Sequence, residues 1–142
     1  MKQNVMKKWV KALRSDKFKQ GSGTLKQFNK QGQTQHCCLG VLCELYNQEM
    51  KKNKKKMLSE TIWDNDSDFS FGYCRFGGKK EDLPKEVMRW SGVKNHLGKF
   101  RSPNNYGDTY MFNKESCLAD LNDIGKKFKT IADIIEKNYE QL

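Results

Sequence analysis

The chain has 142 residues, with 27 Lys and Arg against 17 Asp and Glu and a formal net charge of +10. This length is typical of one compact domain whose core needs neither disulfides nor a structural metal. No apolar run approaches the ~20 residues that span a bilayer, and residues 1–8 lack the apolar core of a secretory signal, so we expect a cytoplasmic protein.

The positive charge is concentrated at one end of the chain. Residues 1–56 carry a net charge of +11, and residues 57–142 carry −1. Such asymmetry indicates a phosphate-bearing partner or another anionic surface, and solubility alone is the alternative interpretation.

The first half of the chain predicts a helix, a hairpin and a second helix. Residues 4–15 place apolar side chains on one stripe and lysines opposite, which is typical of an amphipathic helix. Alternation over 24–28, a turn at 29–32 and a return over 33–36 indicate a β-hairpin. The apolar run from Cys38 to Tyr46 favours a buried helix.

The second half predicts short strands followed by helices. We expect a loop or a frayed helix end from residue 50 to 56, strands over 58–63 and 69–76, and a short helix over 83–90 with Pro84 at its start. Residues 92–113 form a loop-rich region with strand pieces at 99–101 and 109–112, and helices cover 114–123 and 127–139. The prediction is therefore one α+β domain over 1–142, with an N-terminal helix, short antiparallel strands and a C-terminal helix pair.

The five cysteines predict reduced thiols. Their odd number and the adjacent pair Cys37 and Cys38 argue against a disulfide framework. His36, Cys37 and Cys38 precede a predicted helix, where a thiol could act as nucleophile or metal ligand. We favour buried, unreactive cysteines, because the paired spacing of zinc sites is missing.

Two further motifs are weak. Asp64, Asp66 and Asp68 resemble the start of a calcium loop, but Phe69 and Arg75 occupy the positions that need glycine and an acid. The sequence after Gly125 resembles one helix of a helix-turn-helix unit, yet its charges suit a phosphate backbone poorly. We expect no metal, no cofactor and no catalytic residue, and nucleic acid is a disfavoured partner.

Several stretches resemble a family of small, mostly uncharacterised bacteriophage proteins. The similarity covers the chain from end to end, and the most specific piece is Cys-Cys-Leu-Gly-Val-Leu at 37–42. It departs from the family at Lys127, where a Ser or Thr helix cap is expected, and in the lysine run at 51–56. The other stretches that carry it lie at 9–15, 19–21, 83–92, 118–123 and 128–136.

This resemblance implies a phage accessory protein of the infected bacterial cytoplasm. Small basic oligomeric phage proteins include ones that sequester nucleotide immune messengers, such as cyclic ADP-ribose isomers and cyclic oligonucleotides. We therefore expect a homo-oligomer that captures a phosphate-containing nucleotide without catalysis. The alternatives are a nucleic-acid-binding regulator, an enzyme that cleaves a nucleotide and an inhibitor that binds a host enzyme.

The expected ligand contacts combine cations, amides and an aromatic ring. Cations pair with phosphates, amides read the polar edge of a base, and Tyr106 or an exposed tryptophan stacks on the base. The predicted ligand-binding residues are Lys17, Lys19, Gln20, Arg75, Arg101, Asn104, Tyr106 and Asn122.

Overall fold

A computed structural model of the chain describes residues 1–63, 72–101 and 115–142. It confirms a single compact α+β domain with an N-terminal helix, antiparallel strands and C-terminal helices. None of the helices in these three ranges combines the length and apolar character needed to cross a membrane.

The N-terminal helix α1 (Gln3–Arg14) packs its apolar stripe into the core. Trp9 is fully buried, and its indole Nε1 donates a hydrogen bond to the Cys38 carbonyl at 2.9 Å. On the outer side of the helix, Arg14 pairs with Asp133 and Glu136 at 2.6 Å. The helix is thereby fixed between the second helix and the last one.

Five short strands form the main sheet, in the order β1-β3-β2-β5-β4. The β1–β3 pairing is parallel and the other three pairings are antiparallel. Strands β1 and β4 are therefore the two edges of the sheet. The strands are β1 (Lys19–Gln20), β2 (Lys26–Phe28), β3 (Thr34–His36), β4 (Glu60–Trp63) and β5 (Tyr73–Phe76).

Helix α2 (Cys38–Lys52) covers one face of this sheet. Its close approach depends on Gly40, because a Cβ at that position would lie 1.7 Å from the Leu25 carbonyl oxygen. The side chains of Leu39, Leu42 and Cys43 are fully buried. The predicted buried helix is thus confirmed, and a glycine sets its distance from the sheet.

The rest of the chain packs against α1 and α2 and completes the core. A small antiparallel pair joins β6 (Lys99–Arg101) to β7 (Glu115–Cys117). Helix α5 packs along α1 through Ile131 and Ile135, both fully buried. The helices of this part are α3 (Lys85–Ser91), α4 (Leu118–Asp123) and α5 (Phe128–Asn138).

Three local details differ from the prediction. Helix α2 continues through Lys51 and Lys52, which a helix C-terminus favours because its dipole attracts cations. The helix predicted from 114 begins at Leu118, because residues 115–117 pair with β6 and the Cys117 sulfur caps the helix at the Asp120 N–H. The two-residue strand β1 was not predicted, and the strand piece at 109–112 lies outside the described residues.

Candidate functional site

The main sheet has an inner face under α2 and an outer face away from it. His36, Cys74 and Phe76 are buried on the inner face. Because side chains alternate along a strand, their neighbours point outward. One residue from each strand therefore meets in a row across the outer face: Lys19, Gln35, Gln27, Tyr73 and Trp63.

Aromatic rings and cations gather at the β4 end of this row. The guanidinium carbon of Arg75 lies 5.0 Å from the ring centre of Trp63 and 5.8 Å from that of Tyr73. The Lys80 ammonium lies 4.8 Å from the Tyr73 ring centre. We call Trp63, Tyr73, Arg75 and Lys80 the Arg75 cluster.

The Arg75 cluster retains unused binding capacity. Trp63 is 49% exposed, so much of its surface is accessible for stacking with a planar group. The Arg75 guanidinium donates one long hydrogen bond of 3.5 Å to the Tyr73 hydroxyl. Within the described residues its buried Nε has no hydrogen-bond partner, and no carboxylate forms an ion pair with it. An anion that carries a flat ring has both kinds of partner here.

At the β1 end, two predicted ligand amides are hydrogen-bonded within the protein. Asn122, 1% exposed, accepts from the Cys38 N–H at 3.1 Å and donates to the Gly21 carbonyl at 2.8 Å. Gln20 donates to the Asn122 side chain at 3.2 Å and to the Lys126 carbonyl at 2.7 Å. The two residues lie side by side, and their hydrogen bonds connect β1, α2 and the turn between α4 and α5.

Gln20 also replaces the missing helix cap at Lys127. Lys127 makes no capping hydrogen bond through its side chain. Instead, the side-chain amide oxygen Oε1 of Gln20 accepts from the Phe128 N–H at 3.0 Å, which satisfies one of the free donors at the start of α5. A side chain distant in sequence therefore supplies a capping hydrogen bond at the start of α5, where the side chain of residue 127 makes none.

An open, amide-lined pocket of about 350 Å³ lies at the same end of the sheet. Gln27 and Gln35 line it from the outer face, 3.3 Å apart, and Gln20 and Asn122 line it from the edge. The carboxylate of Asp123 accepts from the Gly23 N–H at 2.9 Å. Its described wall has Lys127 as its one cation, so the pocket suits a neutral polar group better than a phosphate.

The remaining predicted contacts are dispersed. Lys17 is exposed next to β1, and the Lys19 ammonium donates to the Gln33 amide at 2.6 Å. Arg101 lies on the small sheet, where its backbone bonds the Gln141 side chain. Asn104 and Tyr106 fall outside the described residues, so their assignment stays a prediction.

The thiols lie in surroundings that suppress reactivity. All five cysteines are buried and unpaired with one another. Burial raises the pKa of Cys37 to about 11, although the Gly40 N–H donates to its sulfur and partly opposes the shift. Cys37 therefore caps α2 as a neutral thiol. In the described ranges no three His, Cys, Asp or Glu side chains group as metal ligands, and Asp64, Asp66 and Asp68 lie outside those ranges.

A partly buried ionic cluster lies on the inner face. The Lys26 ammonium bridges Glu44 at 2.9 Å and Glu60 at 2.7 Å, and His36 contacts Glu44 at 3.0 Å. Burial opposes ionisation of Glu44, but hydrogen bonds from His36 and Lys26 outweigh it and lower its pKa. This cluster joins β2, β3 and β4 to α2, and it was not predicted.

A cationic surface covers the last two residues of α2 and the residues that follow it. Its five lysines are exposed, and none forms an ion pair with another described residue. We call this surface, Lys51, Lys52, Lys54, Lys55 and Lys56, the lysine segment. It is the densest positive region in the described part of the chain.

The sequence signal for the Arg75 cluster was present but incomplete. Strands over 58–63 and 69–76 were predicted, and an exposed tryptophan was expected to stack on a base. Alternation puts Trp63 and Arg75 on one face only once the β4–β5 register is known, which pairs Trp63 with Tyr73. Lys80 joins through the turn after β5, which no periodicity predicts.

Comparisons with known proteins give a family without an assigned activity. No curated protein and no solved structure matches the chain. A family model described as a domain of unknown function, DUF8296, matches residues 1–139. Since this match covers nearly the whole chain, the protein belongs to the DUF8296 family.

Proposed function

We propose that the protein binds a phosphate-bearing nucleotide at the Arg75 cluster and holds it without breaking a bond. The observation that carries this proposal is the half-exposed Trp63 ring beside an arginine with an unused donor. A nucleobase stacks on an exposed ring for about 1–3 kcal/mol, and a guanidinium pairs with phosphate through short, charge-assisted bonds.

The outer face extends this site toward the amide pocket. Gln27 pairs with Tyr73 across β2 and β5, and Gln35 is one strand further. Strands are ~4.8 Å apart, so a ligand about 10 Å long reaches from the Trp63 ring to the Gln27 amide, and one about 14 Å long reaches the Gln35 amide. Such amides donate to and accept from the polar edge of a base.

The physiological role we propose is sequestration of a nucleotide immune messenger during phage infection. It rests on the resemblance to bacteriophage proteins and on the anion-binding character of the cluster. The ligand class is a cyclic ADP-ribose isomer or a cyclic oligonucleotide, bound in the bacterial cytoplasm by a homo-oligomer. The neutral, buried thiols agree with binding rather than nucleophilic attack.

The test is calorimetric titration of the protein with a panel of cyclic dinucleotides, cyclic trinucleotides and cyclic ADP-ribose isomers. We expect one class to bind, and Trp63→Ala and Arg75→Ala to weaken it at least tenfold. Ile62→Ala is the matched control, because Ile62 is exposed on the same strand but points to the other face. Absence of binding across the panel, or full affinity in both variants, contradicts the proposal.

The bound ligand then separates a binder from an enzyme. After denaturation of the complex, chromatography recovers an unchanged ligand if the protein only sequesters it. Recovery of cleaved products instead supports the nucleotide-cleaving alternative.

A second candidate, binding of single-stranded nucleic acid, is favoured by the lysine segment. Exposed lysines without ion pairs follow a phosphate backbone, and the affinity then falls steeply with salt. Titration with oligonucleotides at 50 and 200 mM salt distinguishes the two. A small nucleotide held by a few contacts loses much less affinity over this range.

A further inference from the structure

Among the residues that the structure describes, no strand pairs with the outer edge of β4. Strand β4 pairs with β5 on one side only. Two large apolar side chains of this strand are exposed, Ile62 at 65% and Trp63 at 49%. Edge strands of monomeric proteins are usually protected by Lys, Pro or a bulge, and the sequence Glu-Thr-Ile-Trp has neither Lys nor Pro.

The opposite edge has the protection that β4 lacks. Strand β1 is two residues long and carries Lys19, and its Gln20 side chain is bonded to the turn between α4 and α5. A second chain would find little free backbone there. The β4 edge is therefore the candidate surface for pairing.

The hydrogen-bond pattern shows which backbone groups of β4 face outward. The Ser59 carbonyl accepts from the Gly77 N–H at 2.8 Å, so Ser59 points toward β5. Bonded and non-bonded positions alternate in an antiparallel ladder, so Thr61 and Trp63 also point toward β5. The N–H and C=O groups of Glu60 and Ile62 point to the open edge, where no described residue bonds them.

We propose that two copies of this chain pair antiparallel through their β4 strands about a two-fold axis at Thr61. In this register Glu60 of each copy opposes Ile62 of the other, and these outward groups form four hydrogen bonds. Thr61 opposes itself, and Trp63 opposes Ser59. All five residues from 59 to 63 are then paired, and the two outer faces join into one surface.

The side chains agree with this register. Thr61 meets its copy as a non-bonded pair, in which small β-branched side chains pack well. The one charged residue, Glu60, lies opposite an isoleucine rather than another carboxylate, and Lys26 already neutralises it at 2.7 Å. Ile62 packs on the Glu60 stem of the other copy, which covers the most exposed apolar side chain in the described residues.

The pairing doubles the nucleotide-binding surface without depending on it. Four strands, β5 and β4 of each copy, would place two Arg75 side chains on one face, with Cα atoms about 14 Å apart at a strand spacing of ~4.8 Å. The proposal itself stands on backbone geometry and exposure alone. Its failure would leave nucleotide binding by one chain untouched.

Cysteine cross-linking tests the register directly. The five native cysteines are buried, so an engineered thiol at an exposed position reacts alone. Thr61→Cys places two Cα atoms ~4.5 Å apart across the axis, within disulfide range. Trp63→Cys, the matched control, puts them about 14 Å apart, because four residues at ~3.4 Å separate them along the strands.

We expect oxidised Thr61→Cys to form a covalent dimer on a non-reducing gel, at least tenfold faster than Trp63→Cys or Ile62→Cys. Faster cross-linking of Ile62→Cys would overturn the register, and equal, slow cross-linking of all three would overturn the pairing.

A charge at the axis tests the association without oxidation. We expect sedimentation experiments to show a wild-type dimer that dissociates on dilution, and we expect Thr61→Lys to weaken it at least tenfold. Thr61→Val, which keeps the β-branched shape, retains the dimer. Thr61 is exposed, so Thr61→Lys should melt near the wild-type temperature, which separates loss of pairing from loss of folding. A monomer at every concentration, or an oligomer unaffected by Thr61→Lys, contradicts the proposal.

Discussion

At the β1 end of the sheet, Gln20 and Asn122 hydrogen-bond each other and the backbone of three other segments. At the β4 end, Arg75 keeps a buried donor with no partner in the described residues, and Trp63 is half exposed. Both ends carry the residue types that contact nucleotides. The two ends differ in how much of their hydrogen-bonding capacity is already used inside the protein, so we expect the Arg75 cluster to hold the proposed ligand and Gln20 and Asn122 to contribute stability.

The strongest test of this comparison is Asn122→Ala at the β1 end. The substitution leaves the Cys38 N–H and the Gly21 carbonyl without partners, and each buried unsatisfied group costs about 1–3 kcal/mol. We expect the free energy of unfolding in urea to fall by about 3 kcal/mol. Lys127→Ala, an exposed residue of the same pocket, is the control and should change stability by less than about 0.5 kcal/mol.

The nucleotide affinity of Asn122→Ala tests whether the β1 end contacts the ligand. At a temperature where Asn122→Ala remains folded, its nucleotide affinity should equal that of the wild type. A tenfold loss of affinity there would show that the β1 end contacts the ligand as well.

The sequence predicted the helices well because their apolar stripes are periodic. Val5, Trp9 and Leu13 repeat at helical spacing, and they are buried in α1. The α+β class follows from such stripes together with the alternating segments. The errors lie where a distant partner decides local structure, as at 115–117, which become a strand because β6 lies beside them.

The site was less predictable than the fold. Gln20 and Asn122 are polar residues of ordinary appearance, and their role depends on contacts across about a hundred positions of sequence. Composition cannot distinguish an amide that binds a ligand from one that bonds the backbone. Arg75 was selected for its charge alone, and the ring of Trp63 beside it follows from strand register.

The reactivity of the Cys37 thiol gives a second measure of how well the β1 end excludes solvent. Burial raises the pKa of Cys37 to about 11, so at pH 8 very little thiolate is present. We expect Cys37 to react with iodoacetamide about a hundredfold more slowly than a free cysteine, whose pKa is ~8.5. Mass spectrometry of the labelled peptide measures this rate, with urea-unfolded protein as the reference. Labelling of the folded chain at the unfolded rate would show that this end opens readily.

The ionic cluster tests how firmly the β4 end is held to the rest of the fold. Lys26→Met leaves Glu44 and Glu60 without their shared cation, and we expect a loss of about 2 kcal/mol at pH 7. Lys80→Met, which removes an exposed partner of Glu81, is the control and should cost less than about 0.5 kcal/mol.

The cluster also predicts a pH dependence with a definite sign. The pKa of Glu44 is lowered in the folded chain, so its contribution is complete above the ordinary value of 4.5 and is lost as the pH falls through the lowered value. Despite burial, the hydrogen bonds that Lys26 donates to Glu60 and Glu44 raise its pKa, so its contribution is complete below the ordinary value of 10.5 and is lost as the pH rises through the raised value. The free energy of unfolding in urea, measured from pH 3 to pH 11, should therefore be constant for the wild type at intermediate pH and fall at both ends. In Lys26→Met we expect both decreases to be smaller. An unchanged profile would mean that these ion pairs do not contribute.

The smallest expected effect concerns the rim of the Arg75 cluster. The Lys80 ammonium, 4.8 Å from the Tyr73 ring centre, adds charge next to the proposed phosphate position. An exposed pair of opposite charges is worth about 0.2–1 kcal/mol, so Lys80→Ala should weaken nucleotide binding by up to about fivefold and leave the melting temperature near that of the wild type. Lys79→Ala removes an exposed charge one residue away and is the matched control for general electrostatic attraction. If both variants weaken binding equally, the effect is long-range charge rather than a contact, and it should vanish when the titration is repeated at high salt.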